Sequence, residues 1–375
     1  MDGYLRAEIS VSAIQHNVRL IQKRLGPGVK LCPVVKANAY GLGIGQVLPV
    51  FEESAEMLGV AICSEAVGLR RQGWQRPVLM FATSGASDAK ALAELIAHTI
   101  TLTVTSRDEL KLLAEAEKRA SRPGEVHVKI DSGMTRSGVL PERAAELVAA
   151  VRSCKSVTLK GLYTHFACAE SDRQATLDQL RRFLQAVEAC GGRAGLVLHA
   201  ANSAATIDLP DAHLDMVRPG LALYGYHPDV SRCTSGSGAA LALRPALRLT
   251  APIVQIKDVP AGASTGYGLT YRFDRSARVA LVPIGYADGY FRSFSNRAVM
   301  RVQGVDCPIR GRVSMDQTII EITGAPQAKV GDAVEIISPD PAAPHSVENL
   351  ARLAETIPYE IITRLGDRIT RVVSE

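Results

Sequence analysis

Eight short apolar runs recur through the first 220 residues, with helical pattern between them, and this alternation constrains the fold more than any other feature. The runs are "KLCPVVKA", "LGVAIC", "PVLMF", "TITLTV", "EVHVKID", "LKGLYTHF", "LVLHAAN" and "LDMVRPG". Several are nearly continuous in apolar residues, as parallel strands covered on both faces should be. Between them lie segments with helix signals. In "SAIQHNVRLIQKRLG" a Ser12/Gln15 capping box precedes apolar Ile14, Val18, Ile21 and Leu25, and Gly26 marks the stop. "SRDELKLLAEAEKRA" repeats the device with Ser106 and Glu109. Eight strand–helix repeats predict an α/β fold, a (β/α)8 TIM-type barrel over residues 11–232. A doubly wound sheet is the rival, and the strand count and even spacing favour the barrel.

Residues 230–240, "VSRCTSGSGAA", form a Gly/Ser-rich break. Beyond it the pattern changes to short strand-like pieces, "LRLTAPIVQIKDV", "RVALVPIG" and "AVMRVQG", and only "SVENLARLAE" looks helical. A mainly β C-terminal domain over 233–375 is expected, with residues 1–10 as an extra N-terminal strand packing with it. A chain of 375 residues is long enough for such a pair of cores.

Charge and cysteine usage exclude several classes of partner. The net charge is +5, and no Lys/Arg run is interleaved with aromatics, which argues against nucleic acid or an acidic membrane surface. The seven cysteines are odd in number and lack C-x-x-C spacing, so neither a disulfide framework nor a zinc site is indicated. "MDGYLRAEIS" has no apolar signal core, and no apolar stretch approaches the roughly 20 residues of a membrane span. The expected location is the cytoplasm, and no metal is expected.

Several polar residues fall at or just past the carboxyl ends of the apolar runs. Lys36 ends the first run, Arg136 follows the fifth, and His165 ends the sixth. Asn202 and Ser203 end the seventh, and Arg218-Pro219-Gly220 end the eighth. Each alone has a plain explanation: a solvated loop lysine, an Arg136 paired with Asp131 or Glu142, a satisfied core histidine, a turn. Their shared register at the carboxyl ends of barrel strands, where such folds carry their active sites, is harder to explain plainly. A buried lysine with a depressed pKa forms Schiff bases. Ser203, Gly220 and Leu221, with backbone N–H groups near helix starts, suit a phosphate. A histidine can lie against a flat ring. Together these point to pyridoxal 5′-phosphate rather than a nicotinamide or a metal, and no G-x-G-x-x-G, Walker loop or H-E-x-x-H is present.

At these residues the sequence resembles the alanine racemases over nearly its whole length. "VVKANAYGLG" is similar to the family's lysine motif, "VKIDSGMTRSG" to its arginine loop and "LYTHFACAE" to its histidine strand. "HAANSAAT" and "DMVRPGLALYG" match its phosphate and pyridine side, and "STGYGLTY", "PIGYADGY", "GRVSMDQ" and "TIPYEIITRL" its second domain. The resemblance implies a head-to-tail homodimer in which the second domain of one subunit completes the site of the other. It implies that Lys36 carries the cofactor covalently, that Tyr40, Ser203, Gly220, Leu221 and Tyr359 surround its phosphate, and that His165 lies against its ring. Arg218 then faces the pyridine nitrogen. Arg136 reaches the cofactor's phenolic oxygen and, with the backbone of Met315 from the partner, the substrate carboxylate, and Tyr286 also meets the substrate. Lys36 and Tyr267 become an acid/base pair on opposite faces of the alanine Cα, and the product D-alanine serves peptidoglycan synthesis. A tyrosine base needs cationic neighbours to act near neutrality. A guanidinium can donate to the ring nitrogen but cannot give up its own proton easily, which favours reprotonation at Cα over transamination. Two positions depart from the pattern or qualify it. Leu42 stands where the lysine motif usually has histidine, and Lys129 stands where some members carry a carbamylated lysine. The alternatives are a racemase for serine or basic amino acids, a decarboxylase on the same plan, and a non-catalytic cofactor-binding protein.

Overall fold

A computed structural model describes residues 4–83, 88–229 and 241–375. The chain divides into two compact units, one of Val18–Ala39 with Val50–Leu223, the other of Met1–Asn17, Tyr40–Pro49 and Tyr224–Glu375. The Gly/Ser-rich break at 230–240, and with it Cys233 and the 232/233 boundary, lies outside the described residues.

Strand β1 (Arg6–Ser10) opens the chain and belongs to the second of these units. The first unit holds all eight predicted strands: β2 (Lys30–Leu31), β3 (Leu58–Val60), β4 (Val78–Thr83), β5 (Ile100–Val104), β6 (Gly124–Lys129), β7 (Val157–Tyr163), β8 (Val197–His199) and β9 (Met216–Val217). β3 to β8 form one parallel sheet in sequence order. β2 pairs in parallel with β9 through Lys30↔Met216 and Leu31↔Val217. Isolated hydrogen bonds continue the ring on either side. Gly59 N–H donates to Pro33 O at 2.9 Å and Val35 N–H to Gly59 O at 2.8 Å, joining β2 to β3. Asp215 N–H donates to Leu198 O at 3.0 Å and Arg218 N–H to Ala201 O at 2.9 Å, joining β9 to β8. The sheet therefore curls into the barrel that the alternation predicts. Beyond β2 and β9 the pairing continues as single bonds, with Cys32 N–H donating to Val217 O and Val34 N–H to Pro219 O, both at 2.9 Å, while Pro219 has no N–H to return to β2.

Burial follows the runs. Every residue of β3 and β5 is buried, and Val60, Met80, Leu102, Val104, Val126, Val128 and Leu162 have no exposed surface. Helix Val11–Gln22 starts two residues earlier than the Ser12/Gln15 box predicts: Ser10 Oγ accepts the Ala13 N–H at 3.1 Å and is the cap. Ser12 falls inside the first turn, where the sheet register of β1 forces the chain to begin its helix. Helix Arg107–Ala120 is capped as expected, with Glu109 accepting the Ser106 N–H at 3.1 Å.

The second unit is mainly β. It adds β10 (Leu247–Pro252), β11 (Gln255–Val259), β12 (Ser264–Thr265), β13 (Tyr271–Arg272), β14 (Ala277–Val282), β15 (Val299–Val302), β16 (Val305–Pro308), β17 (Thr318–Glu321), β18 (Ala333–Ile337) and β19 (Thr370–Ser374). One six-stranded sheet runs β16-β15-β18-β10-β1-β19 and a three-stranded sheet runs β11-β14-β17. β1 is antiparallel to β10 and parallel to β19. "SVENLARLAE" gives helix Val347–Leu353, with Ser346 Oγ capping Asn349 N–H at 3.2 Å. A second helix, Pro358–Thr363, is an addition to the sequence reading. Its start depends on Pro358 in the first turn, a position where the missing N–H does no harm. No helix of the described residues is long and apolar enough to cross a membrane.

Candidate active site

The lysine motif adopts a conformation that L-residues avoid. After Lys36, residues Ala37, Asn38 and Ala39 have φ of 52, 53 and 54° with ψ near 51°, and Tyr40 has φ 57°. A left-handed turn of this kind costs roughly 1–2 kcal/mol per residue, so its surroundings must fix it. In the barrel unit, the Ala37 N–H donates to Glu65 Oε1 at 2.6 Å. In the second unit, a Cβ on Gly41 would fall well inside contact distance of the Ile362 carbonyl, and Arg371 Nε donates to Gly41 O at 3.0 Å. There the buried Tyr40 ring lies 5.2 Å from that of Tyr224 and 5.9 Å from that of Tyr359. Leu42, in place of the usual histidine, is fully buried. Lys36 itself reaches solvent although protein atoms crowd around it. Desolvation, then the charge of Arg136, lowers its pKa, and Glu65 acts the other way.

Arg136 sits on a loop folded around one carboxylate. Asp131 Oδ1 accepts from the N–H groups of Gly133 (3.1 Å), Met134 (2.8 Å) and Thr135 (3.0 Å), and Oδ2 accepts from Arg136 N–H at 2.9 Å. Desolvation would raise this carboxyl's pKa, but the N–H donors outweigh it and hold the pKa below the usual range. The loop closes where Asp131 N–H meets Val139 O at 2.8 Å; a Cβ on Gly138 would lie 2.7 Å from that nitrogen. The plain pairing of Arg136 with Asp131 or Glu142 does not occur. The main chain takes the Asp131 carboxylate, and the exposed guanidinium forms no ion pair among the described residues. Beside it, buried Lys129 donates to Ser137 Oγ at 2.6 Å. Desolvation, then Arg136 and Arg218, bring its pKa down to about 8.

Arg218 is buried and strongly bound. Its Nη1 lies 2.7 Å from His199 Nδ1, and its Nη2 donates to Thr164 O at 2.7 Å and Ala200 O at 3.1 Å. None of these bonds uses Nε. His199 Nε2 in turn lies 2.7 Å from His127 Nδ1. Because a guanidinium only donates, His199 Nδ1 must accept, so Nε2 carries the proton and His127 Nδ1 accepts it. Desolvation, reinforced by Arg218, lowers both histidine pKa values, that of His127 to about 3, so both rings are neutral. Burial lowers the pKa of Arg218 to about 10, which leaves it protonated at neutral pH. The Tyr163 ring stacks on His199 with centroids 4.8 Å apart and an interplanar angle of 7°.

The remaining strand ends converge on the same rim. His165, half-buried after β7, has its pKa driven well below the ordinary value, first by desolvation, then by Arg218, Arg136, Lys129 and Lys36. Four basic side chains therefore act in the same direction on one imidazole. Asn202 Oδ1 accepts the Ala205 N–H at 3.0 Å and caps the short helix Ser203–Asp208. Ser203 Oγ accepts from Gly220 N–H at 2.9 Å and Ala222 N–H at 3.3 Å, and Leu221 is fully buried. So Lys36, Arg136, His165, Asn202, Ser203, Arg218, Gly220 and Leu221 all lie at the carboxyl ends of the barrel strands.

Tyr40, Tyr267, Tyr286, Met315 and Tyr359 belong to the second unit. Tyr267 is 71% exposed at the tip of the β12–β13 hairpin. The tip rests on Gly311 and Arg312, where a Cβ on Gly266 (φ 74°) would lie 2.8 Å from Arg312 N. Tyr286 and Met315 are adjacent: the N–H groups of Tyr286 and Ala287 donate to Ser314 O (3.1 Å) and Met315 O (3.0 Å). Glu65, His127 and His199 join the site without being singled out by the sequence. His199 is a polar residue inside the seventh apolar run, three positions before Asn202, whereas Glu65 carries no such signal and His127 lies within the fifth run.

Comparison with known proteins fits this geometry. The family model described as "Alanine racemase, N-terminal domain" matches residues 9–228, and "Alanine racemase, C-terminal domain" matches residues 246–373. A protein of Desulfovibrio desulfuricans named alanine racemase is 40% identical over 378 residues, covering 98% of each chain. One of Desulfosudis oleivorans with the same name is 38% identical, covering 98% of this chain and 95% of that protein. The crystal structure of alanine racemase from Streptomyces lavendulae superposes with a TM-score of 0.91 at 36% identity, covering 100% of this chain and 98% of that one.

Proposed function

The chain belongs to the alanine racemase family, a family of isomerases, and on that premise we propose that it interconverts L- and D-alanine with pyridoxal 5′-phosphate. The residues of the barrel rim fit this cofactor. They provide an amine of lowered pKa on a fixed turn and a buried donor-only guanidinium whose Nε is uncommitted among the described residues, with the Ser203 hydroxyl beside Gly220. Lys36 would hold the cofactor, and Arg218 would meet its ring nitrogen. Tyr40, Asn202, Ser203, Gly220, Leu221 and Tyr359 would take the phosphate side, and His165 the ring face. When bound, this group supplies an electrophilic carbonyl carbon and a ring that withdraws electrons from the substrate Cα.

The protein's own groups decide where the proton goes. The His199–His127 tautomer chain keeps Arg218 as a donor, so the guanidinium offers a hydrogen bond to a ring nitrogen without surrendering a proton. Weak electron withdrawal then favours return of the proton to Cα. The exposed Arg136 guanidinium orients the substrate carboxylate, with Met315 and Tyr286. Lys36 moves the proton on one face and Tyr267 of the partner subunit moves it on the other, in a homodimer with shared sites. D-Alanine made in the cytoplasm for peptidoglycan is the role this activity serves. The observation that carries the reading is the buried Arg218–His199–His127 chain, where a same-plan decarboxylase would offer a carboxylate. The test is D-alanine formation from L-alanine by purified protein with added pyridoxal 5′-phosphate. Lys36→Ala should abolish it; an unaltered protein that binds the cofactor yet turns over neither enantiomer would refute the reading.

A further inference from the structure

We propose that Glu65 is a positioning residue for Lys36, holding the left-handed turn that aims the lysine. The inference deepens the reading above and rests on Lys36 being the cofactor-bearing amine. Its first support is a division of labour between the two carboxylate oxygens. Oε2 accepts from Ala61 N–H at 2.7 Å and Ile62 N–H at 3.3 Å, which is the ordinary duty of a glutamate in the first turn of helix Cys63–Arg71. Oε1 instead accepts the Ala37 N–H at 2.6 Å, from a residue 28 positions away and next to Lys36. Helix capping does not account for that bond.

The second support is strain. Four successive non-glycine residues with φ between 52 and 57° are held only by what surrounds them, and Ala37 is the first. Its N–H bond ties the segment after β2 to the helix that follows β3, at the point where the turn begins. The third is charge: Glu65 is the anion that opposes Arg136 at Lys36. The helix Arg107–Ala120 provides an internal control. There Glu109 accepts the N–H groups of Thr105 (2.5 Å) and Ser106 (3.1 Å) and caps its own helix.

The deciding variant is Glu65→Gln. An amide has a single acceptor oxygen, so it can serve Ala37 or Ala61 but not both, and it carries no charge. Two readouts are taken: the affinity of the cofactor-stripped protein for pyridoxal 5′-phosphate, and the pH dependence of Lys36 methylation by formaldehyde and cyanoborohydride, followed by peptide mass spectrometry. Glu65→Gln should weaken cofactor affinity about tenfold and move the half-maximal labelling pH downward. Glu109→Gln should lower the melting temperature alone. Unchanged affinity and labelling pH in Glu65→Gln, or equal effects from Glu109→Gln, would overturn the proposal. If the unaltered protein takes up no cofactor, the functional reading fails, and the labelling comparison decides the role of Glu65 by itself.

Discussion

Replacing Asp131 by asparagine should damage both the stability of the protein and its grip on a substrate carboxylate. The side chain is buried, and its two oxygens receive four main-chain N–H groups, the last from Arg136 itself. An asparagine of the same shape keeps an oxygen for Gly133, Met134 and Thr135 but turns an NH2 toward the Arg136 N–H. One charge-assisted bond becomes a donor facing a donor, which costs about 2 kcal/mol. Alanine removes all four acceptor contacts, and since loop N–H groups regain water in part, about 3 kcal/mol is expected rather than the full sum. The pH dependence has a definite sign. The folded pKa is depressed, so the stabilisation is complete above the unfolded value of about 3.9 and disappears as pH falls through the folded value. Urea denaturation at pH 7.5 and at progressively lower pH would track this loss, with the two proteins converging in acid. The KM for alanine should rise about fivefold or more, with a smaller fall in kcat, because the loop that presents Arg136 is loosened while the remaining groups stay in place. Stability within about 0.5 kcal/mol of the unaltered protein together with an unchanged KM would refute the reasoning.

Two further outcomes are expected. Gly41→Ala should destabilise by about 3 kcal/mol or more, read as a lowered melting temperature, because φ is 85° and the Ile362 carbonyl occupies the space a Cβ needs. Glu348→Gln should stabilise at pH 8 by about 2 kcal/mol: burial raises the Glu348 pKa from 4.5 to about 6, so ionising this acid opposes folding. That penalty fades as pH falls from above 6 to below 4.5, and the variant should lack this part of the pH profile of stability.

The barrel is legible in the sequence because its strands are buried on both faces and need near-continuous apolar runs, which "TITLTV" and "LGVAIC" display. The register of Lys36, His165 and Arg218 is legible for the same reason, as each lies where an apolar run ends, and Arg136 follows on the loop after the fifth run. Other features are hidden in long-range geometry. Nothing in "CSEAVGLRR" indicates that Glu65 reaches Ala37, because the bond joins segments 28 residues apart. The left-handed turn is equally silent: Ala37 and Ala39 favour right-handed helix, and only tertiary bonds impose the opposite hand. The cap at Ser10 rather than Ser12 is decided by where β1 ends in its sheet. Helix Pro358–Thr363 is too short to show a period.

Deuterium uptake tests the two-sided proton transfer most directly. Each enantiomer of alanine is incubated separately in D2O with cofactor-loaded Tyr267→Phe, and loss of the α-proton signal is monitored by NMR. With the phenol gone and Lys36 intact, one enantiomer should exchange and return unracemised, while the other keeps its proton. Equal exchange of both enantiomers, or racemisation at the rate of the unaltered protein, would contradict it.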